Sequence, residues 1–231
     1  ALTHEFKVSD KTNLLFCGSA LVGRFGQSDL DWYNAADPRP DYYRYLPSYQ
    51  LDLGDTSLYG DLTQYVRDNP DVLQMDWNSL YEANMSDLNS ETYEDVNVDG
   101  NIQDITGNRA KYLIVERRED EKKFNFSTQL NHVVSKKFDI SAGMDYVNQN
   151  KHFFQVAKDL LGADYHLNYN QFAERATSNQ VISGLDTIRQ HDVQNPDRVV
   201  YEGDKYGYDY NASIQFADIW STFDFNFRKV D

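Results

Sequence analysis

The sequence predicts an all-β fold, an antiparallel sheet of long hairpins. Three observations point to it. Apolar and polar residues alternate over long runs. Very short and very long connections join these runs in turn. No stretch approaches the roughly 18 consecutive apolar residues of a membrane helix. The clearest run is Phe124 to Asn131, where Phe124, Phe126 and Leu130 point one way and Asn125, Ser127, Gln129 and Asn131 the other. After a break at Ser135-Lys136-Lys137, Phe138, Ile140, Ala142, Met144 and Tyr146 alternate with Asp139, Ser141, Gly143 and Asp145, the pattern of a hairpin partner.

The first hairpin is less regular. Leu2 to Val8 leads through a turn at Ser9-Asp10-Lys11 into Asn13 to Phe25, where Leu14, Phe16, Ala20 and Val22 are in phase and Gly18, Ser19 and Gly23 interrupt. The last run, Tyr206 to Phe227, carries Tyr206, Tyr208, Tyr210, Ala212, Ile214 and Phe216 in one phase and Ile219, Phe223, Phe225 and Phe227 in the other, so a β-bulge is expected near Ala217 and Asp218. Each run is about as long as the 9 to 11 residues a tilted strand needs to cross a bilayer. The expected architecture is therefore a set of antiparallel strands of a transmembrane β-barrel, with Phe126, Leu130, Ile140, Met144, Ile214 and Phe216 facing lipid. The aromatics near the two ends of the last run would form interfacial girdles, or fill the core of a soluble sheet.

The long connections, about 27–111 and 151–205, must carry structure of their own. In the first, Asp55-Thr56-Ser57 predicts the cap of a helix from Leu58 to Asp68, and Asp76 predicts the cap of one from Trp77 to Met85. The second begins with helix-like sequence from Gln155 to Leu161 and ends in the turn-rich Gln194-Asn195-Pro196-Asp197-Arg198. No repeat or low-complexity linker divides the 231 residues into domains. The chain begins and ends inside strand-like sequence, which predicts a piece of something longer.

A net charge of -15 argues against duplex nucleic acid as a partner, because phosphate neutralisation needs clustered Lys and Arg. The charge reads most simply as solubility of exposed loops. The lone Cys17 allows no internal disulfide. His4, His132, His152, His166 and His191 lack metal-ligand spacing, and no nucleophile elbow, phosphate loop or dinucleotide fingerprint occurs, so an enzyme is not expected.

Two segments carry candidate sites. Asp95-Val96-Asn97-Val98-Asp99-Gly100-Asn101 matches the start of a calcium loop, with oxygen ligands Asp95, Asn97, Asp99 and Asn101 at alternate positions and glycine at the sixth. Thr106 stands where the bidentate Glu belongs. That favours an ordinary Asx-rich turn, with calcium as the alternative and Asp104 as a source of the missing carboxylate. The aromatics Trp32, Tyr33, Tyr42, Tyr43, Tyr45 and Tyr49 could bind a sugar or peptide on their flat faces. The interleaved Pro38, Pro40 and Pro47 favour packing of the loop on itself.

The segment Trp32-Tyr33-Asn34-Ala35-Ala36-Asp37-Pro38-Arg39-Pro40-Asp41-Tyr42-Tyr43-Arg44-Tyr45-Leu46-Pro47-Ser48-Tyr49 resembles TonB-dependent outer-membrane receptors of the Bacteroidetes type, the SusC-like, carboxypeptidase-regulatory-domain-like group. Tyr112 to Arg118, Asp159 to Gly162, Asn170 to Arg175 and Gly203 to Tyr210 look like later segments of the same barrel in the same order. The resemblance implies an internal piece of a barrel of about 22 strands whose plug, TonB-contacting segment and remaining strands lie outside these residues. It makes the short turns periplasmic and the long connections extracellular. The implied partners are the rest of the barrel and its plug, the TonB system through that plug, and outer-membrane lipid; a surface lipoprotein stays open. The expected role is a wall segment with ligand-capturing loops in a receptor importing a bulky solute. The alternative is a soluble or surface-attached β-sheet ligand-binding module, with calcium as an optional stabiliser, which would need a second layer over its apolar face.

Overall fold

The computed structural model describes residues 1–177 and 190–227, the side chains of 175–177 excepted. Strands make up 58% of it and helices 18%. Two compact units are formed, one from 1–26, 118–154 and 209–231, the other from 27–117 and 155–208.

The first unit belongs to a five-stranded sheet of β1 (Leu2–Ser9), β2 (Thr12–Trp32), β5 (Tyr112–Ser135), β6 (Phe138–Asp159) and β9 (Lys205–Phe225), hydrogen-bonded in that order. Among the described residues β1 and β9 are edges and the sheet does not close. Two-residue turns, Asp10-Lys11 and Lys136-Lys137, close the hairpins β1–β2 and β5–β6. β1 pairs antiparallel with β2, Phe6 opposite Leu14 and Leu2 opposite Gly18.

Side-chain contacts fix which residues share a face. Phe16 packs against Phe126, ring centroids 6.4 Å apart, and Phe138 stacks on Phe225 at 4.7 Å and Phe223 at 6.3 Å. Leu2, Phe6, Leu14, Phe16, Phe126, Leu130, Ile140, Met144, Ile219, Phe223 and Phe225 therefore lie on one side. On the other, Asn125 Nδ2 donates to Ser19 Oγ at 3.0 Å, Ser141 Oγ to Asn131 Oδ1 at 2.8 Å, and Trp220 Nε1 to Asp145 Oδ2 at 3.2 Å. One face is apolar and the other polar.

The expected bulge in β9 is absent. Phe138 meets Phe225, Asn150 hydrogen-bonds Ser213, and Phe153 stacks on Tyr210 at 5.2 Å, so both strands advance the same 15 residues between the first contact and the last. The phase of the apolar residues nonetheless inverts in β9, and it inverts at the same level in β6, from Met144 and Tyr146 to Phe153. The change is therefore one of environment across the sheet, not an inserted residue. Beyond it the formerly apolar side carries the Arg24–Asp120 and His152–Asp209 pairs. Ile214 and Phe216 consequently lie on the side opposite Ile140 and Met144, which corrects their expected common orientation.

The second unit holds the two connections. They run 33–111 and 160–204, because β2 and β6 continue to Trp32 and Asp159. The first contains α1 (Ser48–Asp52), α2 (Thr56–Asp68), α3 (Trp77–Met85) and the hairpin β3 (Ser90–Val98)–β4 (Asn101–Asn108). Asp55 Oδ1 accepts from Leu58 N at 2.9 Å and Asp76 Oδ1 from Ser79 N at 3.1 Å, so both expected caps form. The second connection contributes β7 (His166–Leu167), α4 (Gln171–Thr177) and β8 (Val199–Val200), and its residues 178–189 lie outside the described residues. The helix expected from Gln155 to Leu161 does not form: Gln155 to Asp159 are the end of strand β6, and Leu160 and Leu161 lie just beyond it. Phe154, Gln155, Val156 and Ala157 are all buried there, and burial on both faces erases the alternation that marks a strand.

Three buried clusters build this unit, centred on Leu113 and Val115, on Tyr165 and Leu167, and on Leu80, Tyr112 and Leu161. Asn84, fully buried on α3, joins the first and third of these. Its Nδ2 faces the carbonyls of Tyr112, Leu160 and Leu161 at 2.7, 2.8 and 3.2 Å, and its Oδ1 accepts from Lys111 N and Tyr112 N at 2.9 and 3.1 Å.

Candidate functional site

A cavity of about 250 Å³ opens in the second unit. The end of β2 supplies Asp31 and Trp32, with Tyr33 just beyond; Gln155 comes from β6, His166 from β7 and Tyr206 from β9. Tyr33 is held by its N–H, which donates to Lys111 O at 2.7 Å. Phe172 and Tyr208 complete an aromatic lining, and Asn170 and His191 add polar groups. Gly207 stands at φ +74° with its N–H on Asn168 Oδ1 at 2.8 Å, a turn that a side chain would strain.

The electrostatics follow from burial. His166 Nδ1 lies 3.2 Å from Ala110 O, which assigns the proton to Nδ1, and the ring meets Tyr33 and Tyr206 edge-on at 5.5 and 5.6 Å. Burial, aided by the Arg109 charge, pulls its pKa down to about 3, so it is neutral near pH 7. Tyr206 donates to Asp31 Oδ2 at 3.0 Å; burial first, and then the Asp31 charge, push its pKa up, so the phenol stays protonated. The lining thus offers flat rings, neutral hydrogen-bonding groups and one carboxylate, Asp31. Such a surface holds a polar ligand with apolar faces.

Of the six aromatics singled out in the sequence, Trp32 and Tyr33 line this cavity. Tyr42, Tyr43, Tyr45 and Tyr49 instead pack edge-to-face on one another, with centroids 5.0 Å apart for Tyr42–Tyr43, 5.1 Å for Tyr42–Tyr45 and 5.5 Å for Tyr43–Tyr49. Tyr45 OH donates to Asp37 O at 2.9 Å, and Arg39 both pairs with Asp37 and lies over Trp32 at 5.2 Å. That hydrogen-bonded pairing with Arg39 holds the Asp37 carboxyl below the usual carboxylate range.

Asp95, Asn97, Asp99 and Asn101 lie in the β3–β4 hairpin. Asp99 and Gly100, at φ +51° and +88°, make its two-residue turn, and Asn97 Oδ1 accepts from Gly100 N at 2.7 Å. Asp95, at φ +56°, sits where the register shifts between Tyr93 and Val96, and its N–H donates to Asp104 Oδ1 at 3.1 Å. Among the described residues no group of three or more His, Cys, Asp or Glu is placed to hold a metal.

Arg109 carries no signal in the sequence. Its guanidinium lies 3.9 Å over the Tyr33 ring and 5.3 Å from that of Tyr169, and it pairs with Glu174 at 3.3 Å. Tyr33 OH and Arg109 Nε are buried without hydrogen-bond partners among the described residues. Both residues line a second, smaller cavity of about 160 Å³. No family model, curated protein or solved structure matches this chain.

Proposed function

We propose that the chain is a wall segment of an outer-membrane β-barrel receptor of the TonB-dependent type, with the two long connections helping to capture a bulky solute outside the cell. The observation that carries this reading is the apolar face of the five-stranded sheet. Phe6, Val22, Ile219, Phe223 and Phe225 on that face are all more than half exposed, and none of the three buried clusters lies in this unit. Exposed apolar surface of this extent marks a partner or a lipid phase. On β6 the apolar stretch runs from Phe138 to Tyr146 and on β5 from Phe124 to Val134, close to the about 9 to 11 residues of a tilted membrane strand. The connecting turns of two residues fit the periplasmic side and the structured connections the extracellular side. The assignment to the TonB-dependent type rests on the sequence resemblance, and so do the implied plug and TonB partners. The cavity around Trp32, Tyr33 and Tyr206 is the solute-contacting part of this segment.

Substituting arginine on the two sides of the sheet tests the reading. Met144→Arg places a cation on the apolar face at a cost of about 2–4 kcal/mol near the midplane and should abolish the heat-modifiable, membrane-inserted form. Ile214→Arg, on the opposite side, should leave it. Wild-type insertion of Met144→Arg would refute the barrel and return the chain to a soluble or surface-attached β-sheet binding module.

A further inference from the structure

The cavity at the end of β2, wholly within the second unit, holds a carboxylate that no cation matches. Among the described residues lining it, Asp31 alone is charged near neutral pH. Burial keeps both lining histidines, His166 and His191, below their usual pKa and so neutral. Three arginines act on lining residues, and each has a carboxylate of its own. Arg39, over Trp32, pairs with Asp37 at 2.6 Å, and Arg109, over Tyr33, pairs with Glu174 at 3.3 Å. Arg117, whose charge acts on Tyr206, pairs with Asp29 at 3.2 Å. Asp31 has no ion-pair partner among the described residues. Its Oδ1 accepts from Trp32 N at 2.9 Å and its Oδ2 from Tyr206 at 3.0 Å, which leaves about half of its lone pairs open.

The lining around Asp31 is rich in rings and acceptors. The Tyr206 hydroxyl proton is committed to Asp31 and the His166 Nδ1 proton to Ala110 O, so His166 Nε2 remains an acceptor. Phe172 lines the cavity and is still 71% exposed, so its ring forms part of the mouth. Trp32, Tyr33, Tyr206 and Tyr208 supply further rings, whose faces attract cations. The volume of about 250 Å³ falls below the roughly 300 Å³ at which pockets for drug-sized ligands begin, so what enters is small.

We propose that this cavity takes the primary ammonium group of a small amine, with Asp31 as its counter-ion and the aromatic side chains around its apolar body. The inference rests on the reading of the cavity as the solute-contacting part of the segment. Three N–H donors on one charged nitrogen suit a carboxylate and an imidazole acceptor together. An anion would be repelled by Asp31, and an uncharged ligand would strip water from that carboxylate without replacing it.

The test is isothermal titration calorimetry on the full chain in detergent with phenethylamine, phenethyl alcohol and phenylacetate, one ring system in three charge states. Wild type should bind the amine at least about 10-fold more tightly than the alcohol and should not bind the anion. Asp31→Asn removes the charge with little change of shape. It should weaken the amine about 10- to 100-fold and leave the alcohol within about twofold. Phe172→Ala should weaken amine and alcohol alike, by about fivefold. Asp61→Asn, an equal charge change on α2, should leave both within about twofold, which separates Asp31 from the general pull of a chain of charge -15 on cations. Equal affinity for amine and alcohol in wild type, equal losses in Asp31→Asn and Asp61→Asn, or no binding of the amine overturns the proposal. Tighter binding of N-acetyllysine amide than of phenethylamine would assign the ammonium to a peptide side chain and overturn the small-amine assignment. Heat-modifiability keeps this test apart from that of the barrel. If wild type never inserts but binds the amine through Asp31, the barrel falls and the ammonium site stands; if it inserts and binds amine and alcohol equally, only the ammonium site falls.

Discussion

Asn84→Leu should unfasten the second unit while leaving side-chain volume nearly unchanged. The amide has two N–H donors for three carbonyls, so one hydrogen is shared, and its oxygen satisfies the N–H groups of both Lys111 and Tyr112. Leucine removes all of these partners at a site with no access to water. Each orphaned N–H costs about 1–3 kcal/mol, and the abandoned carbonyls add less, giving a loss of about 3–6 kcal/mol. Hydrogen exchange followed by mass spectrometry reads this directly at the amides of Lys111 and Tyr112. Their exchange should accelerate by about 10²- to 10⁴-fold. Asn84→Asp keeps the acceptor but turns a carboxylate toward three carbonyls. Its folded-state pKa must rise above that of the unfolded chain, so its stability is greatest at low pH and is lost as pH rises through that raised value. Protection of both amides within threefold of wild type in Asn84→Leu would refute the account of Asn84 as the joint of this unit.

Gly143→Ala should destabilise the sheet by about 1–3 kcal/mol, because a Cβ there would come within 2.5 Å of the Trp220 ring and 2.8 Å of the Thr128 carbonyl; urea titration of the heat-modifiable form reads it, and an unchanged midpoint would contradict the packing. His166, with a folded-state pKa of about 3 against 6.5 unfolded, contributes stability that is present above pH 6.5 and lost as pH falls toward 3. The loss between pH 6.5 and 5 should be about 2 kcal/mol by denaturant midpoint, and His166→Gln should flatten that slope. Arg109→Met should cost about 1–3 kcal/mol by removing the guanidinium's ion pair with half-buried Glu174 and its stacking on Tyr33, and should cost less in a Glu174→Met background; wild-type stability of Arg109→Met would speak against the pair.

What the sequence disclosed was local. Phe124 to Asn131 and Phe138 to Tyr146 alternate because one face is wet, and Asp55 and Asp76 cap helices through their own neighbours. Where both faces are buried, as from Phe154 to Ala157, the alternation vanishes and the strand looks like a helix. Asp99-Gly100 satisfied a calcium-loop spacing and a hairpin turn equally well, and only the pairing of Val98 with Asn101 shows the hairpin. In the candidate site Trp32 and Tyr33 were legible as aromatics beside a strand end. His166, Gln155 and Tyr206 come from three strands brought together by pairing across the chain, and Arg109 from a loop, so no spacing could announce them.

The simultaneous inversion of polarity in β6 and β9 sets a depth mark on the sheet. Sliding one strand by a single residue would turn Ile219, Phe223 and Phe225 toward the wet side. Sliding it by two would keep the faces but carry its boundary about 7 Å out of line with its neighbour's, setting the polar Gln215 opposite Tyr146. Each strand therefore acts as a ruler for the next, and the sheet is indexed against slippage along its length by where its side chains change character.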